Sequence, residues 1–294
     1  MNKTDVEIKA KRQTEVIGAT PDSRPLSFLY RNPIGRVFIR LVTSRLISKI
    51  GGWYLSTKWS CRHIGKFVSQ NQIDLSQYEA VPYRCYNDFF VRQLLPGKRP
   101  VTMVSHALIS PCDARLTVYP IQSEAVFQIK DRTYTIAELL QDKTAAEAYG
   151  GGYCLIFRLC VDDYHRYCYV DDGVFLEHKT IPGRLHTVRP IALERDNYFV
   201  ENEREISVFQ TAHFGKLTQI EIGAMMIGKI CNHATDGEVM RGEEKGYFAF
   251  GGSTIVVLLE PGAAEIEEEI LQNTAEQKET LVKYGEQIGN ASIL

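Results

Sequence analysis

Between residues 34 and 73 the apolar positions recur with the period of a helix. Ile34, Val37, Phe38, Leu41 and Val42 stand at i, i+3, i+4, i+7 and i+8, one stripe of a helical surface, with Arg36 and Arg40 beside it. Gly51-Gly52 breaks the pattern, and a second helical stretch is expected from Trp53 to Ser69, carrying Trp53, Tyr54, Trp59, Ile64, Phe67 and Val68. Beyond about residue 80 the texture turns to short β-rich runs: Ala125–Lys130, Tyr153–Val161, Glu205–Thr211, Leu217–Gly223, Tyr247–Phe250 and Thr254–Leu259. Asp171-Asp172-Gly173, Pro182-Gly183 and Asp236-Gly237 supply turns between them. One helix is expected to interrupt the strands, Ile136–Tyr149, with Thr135 as N-cap and Gly150 as its stop. The acidic tail from Glu265 reads as partly helical. The pattern therefore predicts an α+β chain: a polar arm over residues 1–33, a basic helical region over 34–75, and a β-rich body from 76 onward.

Composition changes this picture in one respect. The 294 residues carry 34 basic and 36 acidic side chains, a formal charge of −2 that seems to exclude an anionic partner. The charge is not evenly spread. Between Ser23 and Ile73 stand nine basic residues (Arg24, Arg31, Arg36, Arg40, Arg45, Lys49, Lys58, Arg62 and Lys66) and no acidic one, leaving 25 basic against 36 acidic residues elsewhere. Apolar stripes flanked by Arg and Lys, with tryptophans nearby, suit a helix lying on anionic lipid. Packing of the same stripe on the rest of the chain is an open alternative. A nucleic-acid surface lacks any supporting helix-turn-helix, zinc-finger or RNP motif.

Other classes are excluded more directly. No apolar run approaches the ~18 residues of a spanning helix, and the polar start MNKTDVEIKAKRQTEV has no secretory apolar region. The seven cysteines are widely spaced and form no C-x-x-C pair, which argues for reduced thiols rather than a zinc ribbon or disulfide framework. Asp162, Asp163, His165, Asp171 and Asp172 have no metal-ligand spacing, and no metal is expected.

The stretch 245–262, KGYFAFGGSTIVVLLEPG, taken alone, is a turn between two strands. It does not stand alone. Asn87-Asp88-Phe89-Phe90 with Arg92 and Pro96-Gly97-Lys98-Arg99-Pro100, Ser110-Pro111-Cys112-Asp113, Asp163-Tyr164-His165-Arg166, Thr187-Val188-Arg189-Pro190, Glu201-Asn202-Glu203-Arg204-Glu205, Glu221-Ile222-Gly223-Ala224, Gly246-Tyr247-Phe248, Phe250-Gly251-Gly252-Ser253-Thr254 and Glu286-Gln287-Ile288-Gly289 follow in order. Together they resemble the phosphatidylserine decarboxylase family of pyruvoyl-dependent enzymes, from about residue 85 to the end. The resemblance implies self-cleavage between Gly252 and Ser253. Ser253 Oγ attacks the Gly252 carbonyl to give an ester, elimination leaves dehydroalanine, and hydrolysis yields a pyruvoyl group and ammonia. Residues 1–252 would be the β chain and 253–294 the α chain. The pyruvoyl carbonyl would then form a Schiff base with the substrate amine and act as electron sink, converting phosphatidylserine to phosphatidylethanolamine and CO2. The resemblance also implies a homodimer at the cytoplasmic face of the cell membrane, and it favours the lipid-surface reading of the basic helices.

In the family an Asp–His–Ser set drives the cleavage. Asp113 and Ser253 match, although Ala114 stands where the family usually has Gly. The usual D-Y-H-R-x-H reads here Asp163-Tyr164-His165-Arg166-Tyr167-Cys168, so Cys168 takes the place of the second His. A thiol is a base only as thiolate. Three readings are open: His165 serves both steps, His186 supplies the missing imidazole, or processing is lost and the chain is a lipid-binding relative. A relative acting on another amino-acid-headed lipid or a free amino acid is the alternative within the enzyme class.

Overall fold

The computed structural model describes residues 11–18, 24–129, 132–187, 198–224, 229–249 and 253–292. Side chains at 25, 36, 37, 40–42, 45, 46, 198 and 199 also lie outside this description, so Arg36, Val37, Arg40, Leu41 and Val42 of the basic stripe are not placed. Seventeen strands are described: β1 Thr14–Val16, β2 Ala107–Ile109, β3 Ala114–Pro120, β4 Val126–Ile129, β5 Arg132–Thr135, β6 Tyr153–Leu159, β7 Arg166–Cys168, β8 Gly173–Ile181, β9 Arg204–Thr211, β10 Lys216–Gly223, β11 Ile230–Asn232, β12 Glu238–Val239, β13 Glu244–Phe248, β14 Ser253–Leu259, β15 Ala264–Ile266, β16 Lys278–Val282 and β17 Gln287–Ala291.

A nine-stranded sheet of order β1-β16-β3-β6-β14-β10-β9-β8-β12 is the frame. Its pairings are antiparallel. The run Ile255–Leu259 is apolar at every position because β14 is central and both its faces are covered. Ile255, Val257 and Leu259 join one core with Leu155, Phe157, Phe248 and Ile270. Val256 and Leu258 join the other, with Tyr134, Ile136, Leu139 and Leu140. The first face is closed by two three-stranded sheets, β11-β13-β7 and β15-β17-β2, and by the helix Glu268–Ala275. Strands from the C-terminal segment interleave with earlier ones: β14 lies between β6 and β10, and β16 between β1 and β3.

One buried ion pair ties a covering sheet to the frame. Lys245 on β13 donates to Glu221 on β10 at 2.7 Å and to Asn232 on β11 at 2.8 Å, and both charged side chains are fully buried. Asn232 in turn donates to Glu205 at 2.6 Å and accepts from the Tyr167 hydroxyl at 3.1 Å.

The helices depart from the sequence pattern in two places. Helices α1 Arg24–Arg31, α2 Pro33–Val42 and α3 Arg45–Leu55 precede a 3-10 turn, Lys58–His63, and α4 Ile64–Gln70. Gly51-Gly52 does not break α3, which runs through it; neither glycine takes a left-handed φ. A helical glycine weakens a helix by about 1 kcal/mol without ending it. The stop falls at Ser56, whose N–H bonds back to the Gly52 and Trp53 carbonyls, while Thr57 N–H donates to the Tyr54 carbonyl. After α5 Tyr86–Phe90, the single helix expected over Ile136–Tyr149 is two, α6 Ile136–Leu140 and α7 Lys143–Glu147. Thr135 caps α6 as expected, with its Oγ accepting from Glu138 N at 3.1 Å. Gln141 turns left-handed at φ 49°, and Asp142 starts a new cap. The expected arm over residues 1–33 also holds order: β1 pairs with β16, and α1 brings Tyr30 to the body.

All seven cysteines are free and four are buried. No described helix is long and apolar enough to cross a membrane.

Lys245→Met leaves Glu221 charged, buried and unpaired, and is expected to cost about 3–5 kcal/mol of stability. Adding Glu221→Leu should recover most of that loss. Chemical denaturation of both variants checks it.

Candidate active site

The site is set by strand register. Ser253 is the first residue of β14, opposite Leu159 at the end of β6 and Gly223 at the end of β10. Side chains alternate across a sheet, so Ser253 shares a face with Ile255 and Val257, the face closed by β7 and β13. Its hydroxyl is buried and has no hydrogen-bond partner among the described residues. Phe250, Gly251 and Gly252, and with them the expected scissile bond, lie outside the described residues.

His165 reaches the same end of the sheet along two routes. The Cys160–His165 segment leaves β6 directly after Leu159, the partner of Ser253. The His165 carbonyl accepts from Phe248 N at 2.9 Å, five residues before Ser253. The imidazole is buried against Phe90, with ring centroids 4.1 Å apart. Its Nδ1 lies 2.9 Å from the Asp163 carbonyl, which can only accept, so Nδ1 carries the proton. That leaves the lone pair on Nε2, which is buried and without a partner among the described residues. Burial lowers the pKa of His165 to about 3. The ring is neutral at physiological pH, with Nε2 unprotonated.

The other expected residues are placed differently. Asp113 is buried in an ion cluster: Arg99 binds it through Nε at 2.9 Å and Nη2 at 2.7 Å, Lys283 at 3.1 Å, and Tyr284 N at 2.9 Å. Burial alone would raise its pKa, but these donors outweigh it and hold the carboxyl below the usual range. Among the described residues no hydrogen bond joins Asp113 to a histidine. Cys168 lies in the apolar core, its Sγ 3.9 Å from the Ser110 carbonyl, and burial pushes its thiol up to about 12. His186 is buried at a different junction. Its Nδ1 lies 3.4 Å from the Tyr30 hydroxyl on α1, and its Nε2 3.6 Å from Glu201. Asn202 links its backbone to Gly223, accepting from His186 N and donating to both carbonyls, each at 2.9 Å. Val188, Arg189 and Pro190 lie outside the described residues.

Several residues of the site are missing from the sequence reading of the catalytic set. Asp163 accepts from Cys160 N at 2.7 Å and from Arg115 at 2.8 Å. Burial raises its carboxyl to about 7, against the pull of Arg115. Arg99, Lys283 and Tyr284 surround Asp113. Arg99 stands within the Pro96–Pro100 motif and Asp163 within Asp163–Arg166, so their motifs were a usable signal; Lys283 and Tyr284 had none. No group of three or more described His, Cys, Asp or Glu side chains is arranged to hold a metal.

A buried serine hydroxyl and a neutral imidazole, each with a polar atom unused among the described residues, therefore lie toward the same end of the sheet. A sequence model of the phosphatidylserine decarboxylase family matches residues 86–290, so the chain belongs to that family. It is 45% identical over 268 residues to "Phosphatidylserine decarboxylase proenzyme 2" of Clostridium acetobutylicum, covering 91% of this chain and 92% of that protein. It is 39% identical over 271 residues to a phosphatidylserine decarboxylase proenzyme of Clostridium perfringens (90% and 92% covered). It is 38% identical over 285 residues to one of Desulfitobacterium hafniense (95% and 96% covered).

The depressed pKa of His165 has a definite sign. Between about pH 6.5 and 3 the unfolded chain protonates this imidazole and the folded chain does not, so this contribution to stability falls as pH falls. The stability advantage of the parent over His165→Gln is therefore expected to shrink from pH 6.5 toward pH 3. Unfolding curves of both chains across that range check it.

Proposed function

We propose that this chain is a phosphatidylserine decarboxylase that makes its own pyruvoyl group by cutting the bond between Gly252 and Ser253. The observation that carries the reading is the pair of buried, unsatisfied atoms, Ser253 Oγ and His165 Nε2, at the family's self-cleavage motif. His165 Nε2 takes the proton of Ser253 Oγ as that oxygen attacks the Gly252 carbonyl carbon. The Ser253 nitrogen leaves with a proton, and the two residues are joined by an ester. Loss of the Ser253 α-proton expels the Gly252 carboxylate, and water converts the resulting enamine to a ketone and ammonia. The site suits that origin, because the serine hydroxyl has no competing partner and the imidazole is neutral. Once formed, the pyruvoyl group supplies an electron-accepting carbonyl beside the substrate amine, the sink for electrons released as CO2 departs.

His165 serves both processing and decarboxylation in this reading. The Cys168 thiol, raised to about 12, is not a base near neutrality. His186 is a joint between α1 and the body, held at Tyr30 and Asn202. Asp113 acts as the fixed charge that locks Arg99, Lys283 and the Tyr284 turn beside the site rather than as a direct partner of an imidazole.

The helices α1 to α3 and the 3-10 turn are the membrane-contact surface, and the protein is peripheral to the cytoplasmic face of the cell membrane. Ile34 and Phe38 of the apolar stripe are more than half exposed, and Trp53 and Trp59 are 72% and 76% exposed. Unburied aromatic and aliphatic side chains in a region free of acidic residues fit an anionic bilayer holding the substrate. Processed chains are expected to act as homodimers.

Denaturing mass spectrometry tests the cleavage. The parent is expected to yield a fragment of residues 253–294 with a carbonyl at its start, and Ser253→Ala to remain whole. His165→Ala should lose cleavage, whereas Cys168→Ala and His186→Ala should cleave within severalfold of the parent; cleavage that survives His165→Ala removes the assigned base. Decarboxylation of phosphatidylserine vesicles, but not of free serine, is the expected substrate result. Trp53→Ser and Trp59→Ser should each weaken binding to anionic vesicles by about tenfold, the scale of one buried aromatic, as sedimentation with vesicles would measure.

A further inference from the structure

The strand β1 lies before the region that the family model matches, yet its side chains lead to the candidate base. It is fastened firmly. Its residues pair with β16 as Thr14↔Thr280, Glu15↔Glu279 and Val16↔Lys278. Just before it, Arg12 is clasped by Glu286 at 2.6 Å, Glu267 at 2.5 Å and the Gln287 carbonyl at 2.6 Å.

From this anchored strand Glu15 reaches past β16 to Arg115 on β3. Arg115 donates to both carboxylate oxygens of Glu15, through Nε at 2.8 Å and Nη2 at 3.2 Å. Its remaining terminal nitrogen, Nη1, donates to Asp163 at 2.8 Å. Asp163 closes its own turn twice, with its side chain accepting from Cys160 N at 2.7 Å and its N–H donating to the Cys160 carbonyl at 3.0 Å. The carbonyl of the same residue receives His165 Nδ1–H. Direct contacts therefore run from residue 15 to the imidazole. Arg115 and Asp163 are nearly buried, with side chains 12% and 10% exposed, so solvent screens their pairing weakly.

A guanidinium with one carboxylate on each side has a single orientation. Without Glu15, Arg115 keeps its charge but loses the fork that aims it. Without Arg115, the Asp163 side chain keeps only its bond from Cys160 N, and the turn loses its tie to β3. We propose that Glu15 and Arg115 are positioning residues for the self-cleavage, fixing the Cys160–His165 turn so that His165 donates through Nδ1 and offers Nε2 to Ser253. The proposal rests on the reading that His165 is the base.

The groups facing Asp163 decide the test. Arg115 from β3 favours its charged form, whereas Asp162 on the same loop and Asp113 from the turn before β3 oppose it. Glu15 stands behind Arg115, and Arg158 of β6, paired with Glu279 of β16, contacts the Cys160 thiol. Removing Arg115 leaves the two aspartates opposed only by the Cys160 N–H and raises the pH at which Asp163 ionises.

The experiment follows the first-order rate of self-cleavage against pH in the full chain, in Arg115→Gln, in Glu15→Gln and in the double variant, with melting temperatures alongside. Arg115→Gln should slow cleavage and move its acid limb upward by about one pH unit. Glu15→Gln should slow cleavage severalfold with little change in melting temperature, and should have no further effect in the Arg115→Gln chain. An unmoved acid limb in Arg115→Gln, or an equal slowing by Glu15→Gln in both backgrounds, overturns the proposal alone. A parent chain that never cleaves overturns the self-cleavage reading and takes this proposal with it.

Discussion

The two hydrogen-bond ladders that hold β14 govern the site. Each spans the strand from Ser253 to Leu259, against β6 on one side and β10 on the other. A strand clamped on both edges cannot slip by one residue without turning every side chain to the opposite face. That constraint fixes which way Ser253 points, and it places Ser253 where β6 and β10 both end. The loop leaving β6 then has only a short path to return over the same face, and His165 lies on that path. The covering sheet is fastened to the frame by Lys245 and Glu221, so Ser253 and the strand that follows His165 belong to different layers tied by a buried ion pair.

The replacement of a usual histidine by Cys168 becomes intelligible from this packing. The position lies deep in the apolar core, where a small thiol fits and where ionisation is strongly disfavoured. His165 lies in an equally dry place, but burial has the opposite consequence for an imidazole. The neutral form is favoured, and the neutral form of a histidine is its basic form. The same desolvation that keeps a cysteine protonated keeps a histidine neutral, with its lone pair free and its proton affinity lowered.

How much of this was legible in the sequence depended on the range of the interaction. Ile255–Leu259 could be read as a buried strand because both neighbours demand apolar residues. Ser253, His165 and Asp113 could be named because their local motifs resemble those of a family. The break between α6 and α7 was visible in principle, since Asp142 is a capping residue inside an apolar pattern, but periodicity alone ran over it. Glu15, Arg115 and Asp163 could not be joined. They are separated by 100 and 48 positions, and nothing in a single chain signals a salt bridge at that distance. The ion cluster around Asp113 could not be read for the same reason, because Lys283 arrives from 170 residues away.

The interleaving of strands bears on how such a molecule is made. With the chain cut ahead of Ser253, β14 still lies between β6 and β10, and β16 between β1 and β3. Neither piece can leave without opening the central sheet, so the cut would not release the fragments. Reassembly after denaturation is another matter. Two separate chains must find one another, and the small closure entropy of a connected loop is replaced by a concentration-dependent encounter. The bond before Ser253 would then act as a tether needed once, during first folding, and dispensable afterward. A protein built in this way is durable while folded and has no easy way back once unfolded.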